Sequence, residues 1–266
     1  MRKLILTAAL LLSVATFAQK EELKTLKKIY SKSTISEKDL QEYKTASDAL
    51  ETLATEESDK VYAKFYKTMY PTVVLASKGS KVTMQDQMNL YNPEFIKQYG
   101  AVIDETIEFE KKSEKKIYTD DLIQEKKQFK GTLKGLADNL YNVSKFKEAS
   151  SFYYAIYLFD TKNEGKALNN AAILAVNSQD FKLAEKLYEE FVNSDYMKSG
   201  LFYYAINKLN EQEDEFNSRE ERTNSISIGT HEKPKDVKNS TKKADVLKLL
   251  ALIYSQNSEL EKAKST

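Results

Sequence analysis

A motif that returns after 35 residues constrains this chain more than any other feature. Leu133, Ala137, Leu140, Phe146, Ala149 and Tyr153 reappear as Leu168, Ala172, Ala175, Phe181, Ala184 and Tyr188. The spacing within each set fits two short antiparallel helices. A fixed period in this range marks a helical solenoid, in which each unit buries its apolar face by stacking on the next. The expectation is an all-α, right-handed superhelical stack of helical hairpins. Such stacks serve as binding surfaces far more often than as catalysts.

The N-terminus reads as a targeting segment. Met1-Arg2-Lys3 is basic, Leu4 to Val14 is apolar, and Thr16-Phe17-Ala18 offers the small residues a signal peptidase reads. This is the layout of a secretory signal peptide, and the apolar run is shorter than the roughly 20 residues a membrane span needs. Cleavage after Ala18, a mature start at Gln19 and a periplasmic or secreted location are expected. With no cysteine in the sequence, neither a lipoprotein anchor nor a disulfide framework is expected. The fold must rest on hydrophobic packing.

Charge narrows the partners. Removing Arg2 and Lys3 from 41 basic residues leaves 39 against 40 acidic ones. A balance of this kind, interleaved along the chain, argues against a nucleic-acid surface and against a polybasic membrane patch. Only 7 glycines and 3 prolines occur, and Lys, Glu, Leu and Ala dominate, as in helical chains.

Five segments are expected: a signal peptide (1–18), a divergent helical region (19–129), repeats (130–210), a charged insertion (211–243) and an incomplete last repeat (244–266). Within the second, Leu23, Leu26, Ile29 and Tyr30 share one side of a first helix. Ser36 starts another with Leu40, Tyr43, Ala46, Leu50 and Leu53, and Ser58-Asp59 caps a third that Pro71 interrupts. Residues 78–92 read as a loop carrying one turn of helix. Asn92-Pro93 starts a helix running to about Lys115, and Thr119-Asp120-Asp121 caps the next. A third repeat is expected to begin in register with Phe202, Ala205, Ile206 and Leu209 as its first helix. The insertion after it reads as a short charged helix near 215–226 and an exposed loop to about 241. Leu247, Leu250, Ala251 and Tyr254 then resume the first-helix pattern, with Leu260 and Ala263 opening a second helix. Only three residues follow Ala263. The expectation is either a longer protein or an end covered by something else.

These units resemble the tetratricopeptide repeat family. Leu247, Leu250-Ala251, Tyr254 and Ala263 stand at the motif places, as do Leu168, Ala171-Ala172, Ala175, Ala184 and Tyr188, and Leu133, Leu136-Ala137, Leu140, Ala149 and Tyr153. The chain departs from the motif in having no tryptophan, alanine for the motif glycine, and no proline closing a unit. The resemblance implies that the first helices line a concave groove facing a protein or peptide partner. Its surface would be Lys134, Asp138, Tyr141 and Asn142 in the first unit, Asn169, Asn170, Ile173 and Asn177 in the second, and Tyr203, Tyr204 and Asn207 in the third. Amides can pair with an extended backbone, and tyrosines supply contact area. Lys134 and Asn170 match two places of the carboxylate clamp of chaperone-binding members, but Asp138 would repel a carboxylate.

Catalysis has few residues to work with. His231 is the only histidine, which leaves a serine or cysteine triad without an imidazole and rules out multi-histidine metal sites. It is expected as a solvated loop residue. Phe152 and Tyr154 are expected to fill space between repeats. No catalytic residue, metal or cofactor is expected. The expected function is an exported, non-catalytic scaffold for a protein or peptide partner in cell-envelope assembly. The alternatives are a carboxylate-dependent hydrolase or lyase on an α-helical toroid, and a structural subunit of an envelope complex.

Overall fold

The computed structural model describes residues 19–114 and 116–266, so the expected signal peptide lies outside the described residues. The chain is mostly helical, with one small antiparallel sheet. It forms two compact units, one of the described residues up to Lys127 and one of Gln128–Thr266.

The first unit holds α1 (residues 19–30), α2 (Glu37–Leu53), α3 (Glu57–Ser77), α4 (Met84–Leu90), α5 (Pro93–Lys112) and the first turns of α6 (Thr119–Asn142). Capping chemistry sets several of these starts. Asp39 N–H donates to Ser36 Oγ at 3.1 Å while Ser36 N–H donates to the Asp39 carboxylate at 2.9 Å, a reciprocal capping box. Asn92 Oδ1 accepts the Phe95 N–H at 3.0 Å, with Pro93 in the first turn. The expected apolar faces close the core: Leu26 and Ile29 of α1, Tyr43 and Leu50 of α2, Phe65, Tyr66 and Met69 of α3, and Ile103 of α5 are buried.

Four local expectations are corrected here. Glu56 stands at the start of α3, so Ser58 and Asp59 lie within its first turn. Pro71 sits inside α3 without interrupting it. Proline removes one helical N–H, but α3 packs on both α2 and α5, and that burial carries the helix through to Ser77. Residues 78–92 carry more helix than the single turn expected: Gly79–Lys81 form a 3-10 turn, and Thr83 and Asp86 box the start of α4. Helix α5 ends at Lys112.

The second unit holds the rest of α6, then α7 (Phe146–Phe159), α8 (Gly165–Asn177) and α9 (Phe181–Asn193). After these come β1 (Leu201–Asn207), β2 (Glu213–Phe216), α10 (Arg219–Ser227), β3 (His231–Lys238), α11 (Asn239–Gln256) and α12 (Leu260–Ser265). Helix α8 is buried along most of its surface, with Ala167, Leu168, Ala171, Ala172, Leu174 and Ala175 inside. It packs between α7 and α9, and its small residues allow close approach. Ala149 and Ala184, the alanines three residues past Phe146 and Phe181, are fully buried. Helix α11 packs on α9 through Val246, Leu250, Ile253 and Tyr254, and α12 packs on α11.

The segment expected to begin a third repeat is a strand, not a helix. β1 is the centre of the sheet, with strand order β2-β1-β3 and both pairings antiparallel. The register on β3 shifts between Tyr204 and Ile206. Such a bulge breaks the two-residue alternation, and it leaves Phe202 and Ala205, three residues apart, both buried. That spacing imitates a helical face. The flanking strands carry the charged sequences Glu213–Phe216 and His231–Lys238, with Pro234 in β3. Edge strands tolerate both charge and proline. The expected exposed loop is therefore largely sheet, and only its charged helix, α10, is present as helix.

The turns between α6 and α7, α8 and α9, and α11 and α12 have the same geometry. Ser144, Gln179 and Ser258 have φ of 59°, 61° and 63°. Just beyond each, Lys145 N–H donates to Leu140 O at 2.9 Å, Asp180 N–H to Ala175 O at 2.9 Å, and Glu259 N–H to Tyr254 O at 2.8 Å. A left-handed residue followed by this backward bond is a Schellman closure of a helix C-terminus. It occurs at one place in each set, 35 and then 79 residues apart.

Candidate functional site

The expected face divides into three groups. Lys134, Asp138, Tyr141 and Asn142 lie on α6. Tyr141 and Asn142 are exposed, and Lys134 pairs with Asp138 at 2.6 Å. The Tyr153 hydroxyl donates to the other oxygen of Asp138 at 2.5 Å. Burial pushes the Asp138 carboxyl up, but the bonds from Lys134 and Tyr153 outweigh it and hold the pKa below the usual range. On α8, Asn177 is exposed, Asn170 is half-buried and Ile173 is 41% exposed. Asn169 is only 9% exposed, which corrects its place on an open face.

Tyr203, Tyr204 and Asn207 are also corrected, because they lie on β1. Their side chains belong to the sheet. The guanidinium carbons of Arg219 and Arg222 lie 5.7 and 5.4 Å from the Tyr203 ring centre. Asn207 Nδ2 donates to Asp214 at 3.0 Å.

Tyr204 belongs to a buried polar junction. Its hydroxyl donates to Glu215 Oε2 at 2.6 Å, Tyr196 donates to Glu215 Oε1 at 2.9 Å, and Lys242 Nζ reaches Oε2 at 2.8 Å. Burial raises the Glu215 pKa, but Lys242 and the two hydroxyls hold it below the usual range. A second junction joins α6 to the turn before α8, where Lys130 Nζ meets Asp160 at 3.1 Å and Glu164 at 2.7 Å. Burial pushes the Glu164 carboxyl up despite Lys130. Arg222 of α10 bonds Asp236 at 2.5 Å and the Lys235 carbonyl at 2.9 Å, clamping α10 to the sheet.

His231 is not a solvated loop residue. It lies half-buried on β3, with Nε2 3.0 Å from Asp214, Nδ1 2.8 Å from the Thr230 hydroxyl, and its ring edge-on to Phe216.

The first unit carries an opening that the sequence did not single out. A cavity of about 500 Å³ lies between α1, α3 and the segment before α6. Its lining includes Leu23, Lys24, Lys27, Lys28, Tyr62 and Tyr118. Lys24, Lys27 and Lys28 recur at helical spacing in the sequence, the one signal that could have marked it. Tyr62 and Tyr66 read only as core positions. Among the described residues, no group of three or more His, Asp or Glu is placed to hold a metal ion, and no helix is long and apolar enough to cross a membrane.

Comparison of the chain with known protein families finds no match, and a search of curated proteins finds none either.

Proposed function

We propose that this chain is an exported, non-catalytic scaffold that holds a protein or peptide partner on the first helices of three tetratricopeptide-like hairpins. The units are α6–α7, α8–α9 and α11–α12, with the sheet inserted between the second and the third. The recurring turn at Ser144, Gln179 and Ser258 supports this division, as does the packing of α11 on α9. In a repeat stack the next unit's first helix packs on the preceding second helix.

One observation carries the binding face. Ile173 and Leu252 occupy the same repeat position, 79 residues apart, and both are exposed, at 41% and 65%. Asp138 holds that position in the first unit. Lys248, Leu252, Ser255 and Gln256 of α11 therefore replace Tyr203, Tyr204 and Asn207 as the third row of the face. A surface with apolar centres flanked by Asn and Tyr suits a segment that inserts apolar side chains and leaves its polar groups to the amides.

Selection from a displayed peptide library against the purified protein tests the reading. Enrichment of sequences with spaced apolar anchors is expected, and a selection that enriches nothing over a blank surface would contradict it. Export is tested separately, by N-terminal sequencing of the cell-envelope form. Gln19 is the expected first residue.

A further inference from the structure

We infer that the cavity of the first unit binds one molecule of an amphiphilic anion, a single-chain carboxylate with an apolar tail. Its volume of about 500 Å³ falls within the roughly 300–1,000 Å³ of small-molecule pockets. The walls have spent their polar atoms. Tyr62 donates its hydroxyl to Glu110 at 3.0 Å, and the Tyr66 and Tyr118 hydroxyls bond each other. The Ser31 hydroxyl, also in the lining, donates to the Lys28 carbonyl at 3.2 Å, and the rest of the walls is carbon: the tyrosine rings, Leu23 and Ile117.

The rim is cationic. Lys24, Lys27 and Lys28 follow one another along α1. Among the described residues, Lys24 pairs only with Glu21, at 3.9 Å and in solvent. The Lys27 ammonium lies 5.6 Å from the Tyr118 ring centre. Among the described residues, neither Lys27 nor Lys28 makes an ion pair. The nearby carboxylate, Glu110, is fully buried behind Tyr62, and its oxygens are filled by Tyr62, Thr119 and backbone N–H groups. A neutral hydrocarbon would leave the three ammonium groups unused, a cation would be repelled, and a small hydrophilic anion would find no donor in the walls. An anionic head on an apolar tail satisfies both regions.

Calorimetric titration of the purified protein with dodecanoate, below its micellar range, tests this. One molecule per chain should bind. Decanoate should bind more weakly by about fourfold for each methylene lost. Dodecyltrimethylammonium and acetate should give no saturable heat. The Lys27→Gln/Lys28→Gln variant should bind roughly tenfold more weakly, and Ile117→Asp, in the apolar wall but 41% exposed, should abolish binding, with the circular dichroism of both unchanged. Failure of dodecanoate to saturate, equal binding of the cationic amphiphile, or undiminished affinity in both variants would overturn the proposal. So would binding to anionic phospholipid vesicles with the free acid silent, because that result assigns the lysines to a membrane surface.

Discussion

The Glu110 carboxylate of α5 accepts both the backbone N–H of Thr119 at 2.8 Å and its hydroxyl at 2.6 Å. Tyr118 N–H and Ile117 N–H donate to the same group at 3.0 Å. The start of α6 is thus capped from the preceding helix, and its unpaired N–H groups meet a negative charge. Thr119, expected to cap α6 together with Asp120 and Asp121, delivers its hydroxyl to Glu110.

Glu110→Gln should lower stability by about 1–3 kcal/mol, because an amide nitrogen would face donors it cannot accept from. The pH dependence has a definite sign. Burial pushes the Glu110 pKa up, but the bonds from Thr119, Tyr118 and Tyr62 outweigh it and leave the pKa lowered. A lowered carboxylate pKa stabilises the fold fully above the unfolded value, about 4.3 for glutamate. That stability is lost as pH falls through the folded value. Urea titrations from neutral pH downward should show a shallower acid loss in Glu110→Gln than in wild type.

Lys242→Met should cost about 3 kcal/mol in denaturant unfolding. It strands the Glu215 charge, whose side chain is only 10% exposed. Lys242→Met/Glu215→Leu should recover part of that loss, since removing both charges leaves none uncompensated.

Gly165→Ala should destabilise, although alanine is ordinarily the better helix former. A Cβ on Gly165 would overlap the Tyr196 ring, which is buried and tied to Glu215. Overpacking of this kind costs about 1–3 kcal/mol. Thermal unfolding checks this: Gly165→Ala should melt below wild type, and an unchanged or raised midpoint would contradict the clash.

Gln179→Gly should raise stability by about 0.5 kcal/mol. The left-handed conformation costs a non-glycine residue roughly 1–2 kcal/mol, and glycine's extra freedom in the unfolded chain offsets part of the gain. Ser144→Gly should act the same way if the two turns are equivalent. Chemical denaturation of both variants checks this.

The 35-residue pattern was legible because most of its positions are buried, among them Leu133, Ala137, Leu168, Ala172, Ala184 and Tyr188, while Leu140, Phe146, Tyr153 and Phe181 are half-buried. The segment from Phe202 reads as a helix in the sequence because the bulge in β1 buries Phe202 and Ala205 at a spacing of three, and a single window cannot separate that from a helix. Residue types do not separate the two either, because the same run Phe-Tyr-Tyr-Ala-Ile is helical at 152–156 in α7 and extended at 202–206 in β1. The edge strands were hidden by their charge: β3 reads His-Glu-Lys-Pro-Lys-Asp, which carries no apolar alternation. The Glu215 junction brings together Tyr196, Tyr204 and Lys242 from separate elements, and nothing local in a sequence encodes such a meeting. Of the expected face, the α6 residues and Asn170, Ile173 and Asn177 remain candidates.

The most direct test compares the affinity of a selected peptide for wild type, Ile173→Asp, Leu252→Asp and Leu209→Asp by fluorescence anisotropy. Leu209 is an exposed leucine outside the proposed face. A charge at either matched position should weaken binding by at least about tenfold, roughly 1.4 kcal/mol, while Leu209→Asp should bind as wild type does. Equal affinity in all four proteins, with helicity intact, would contradict the shared binding face.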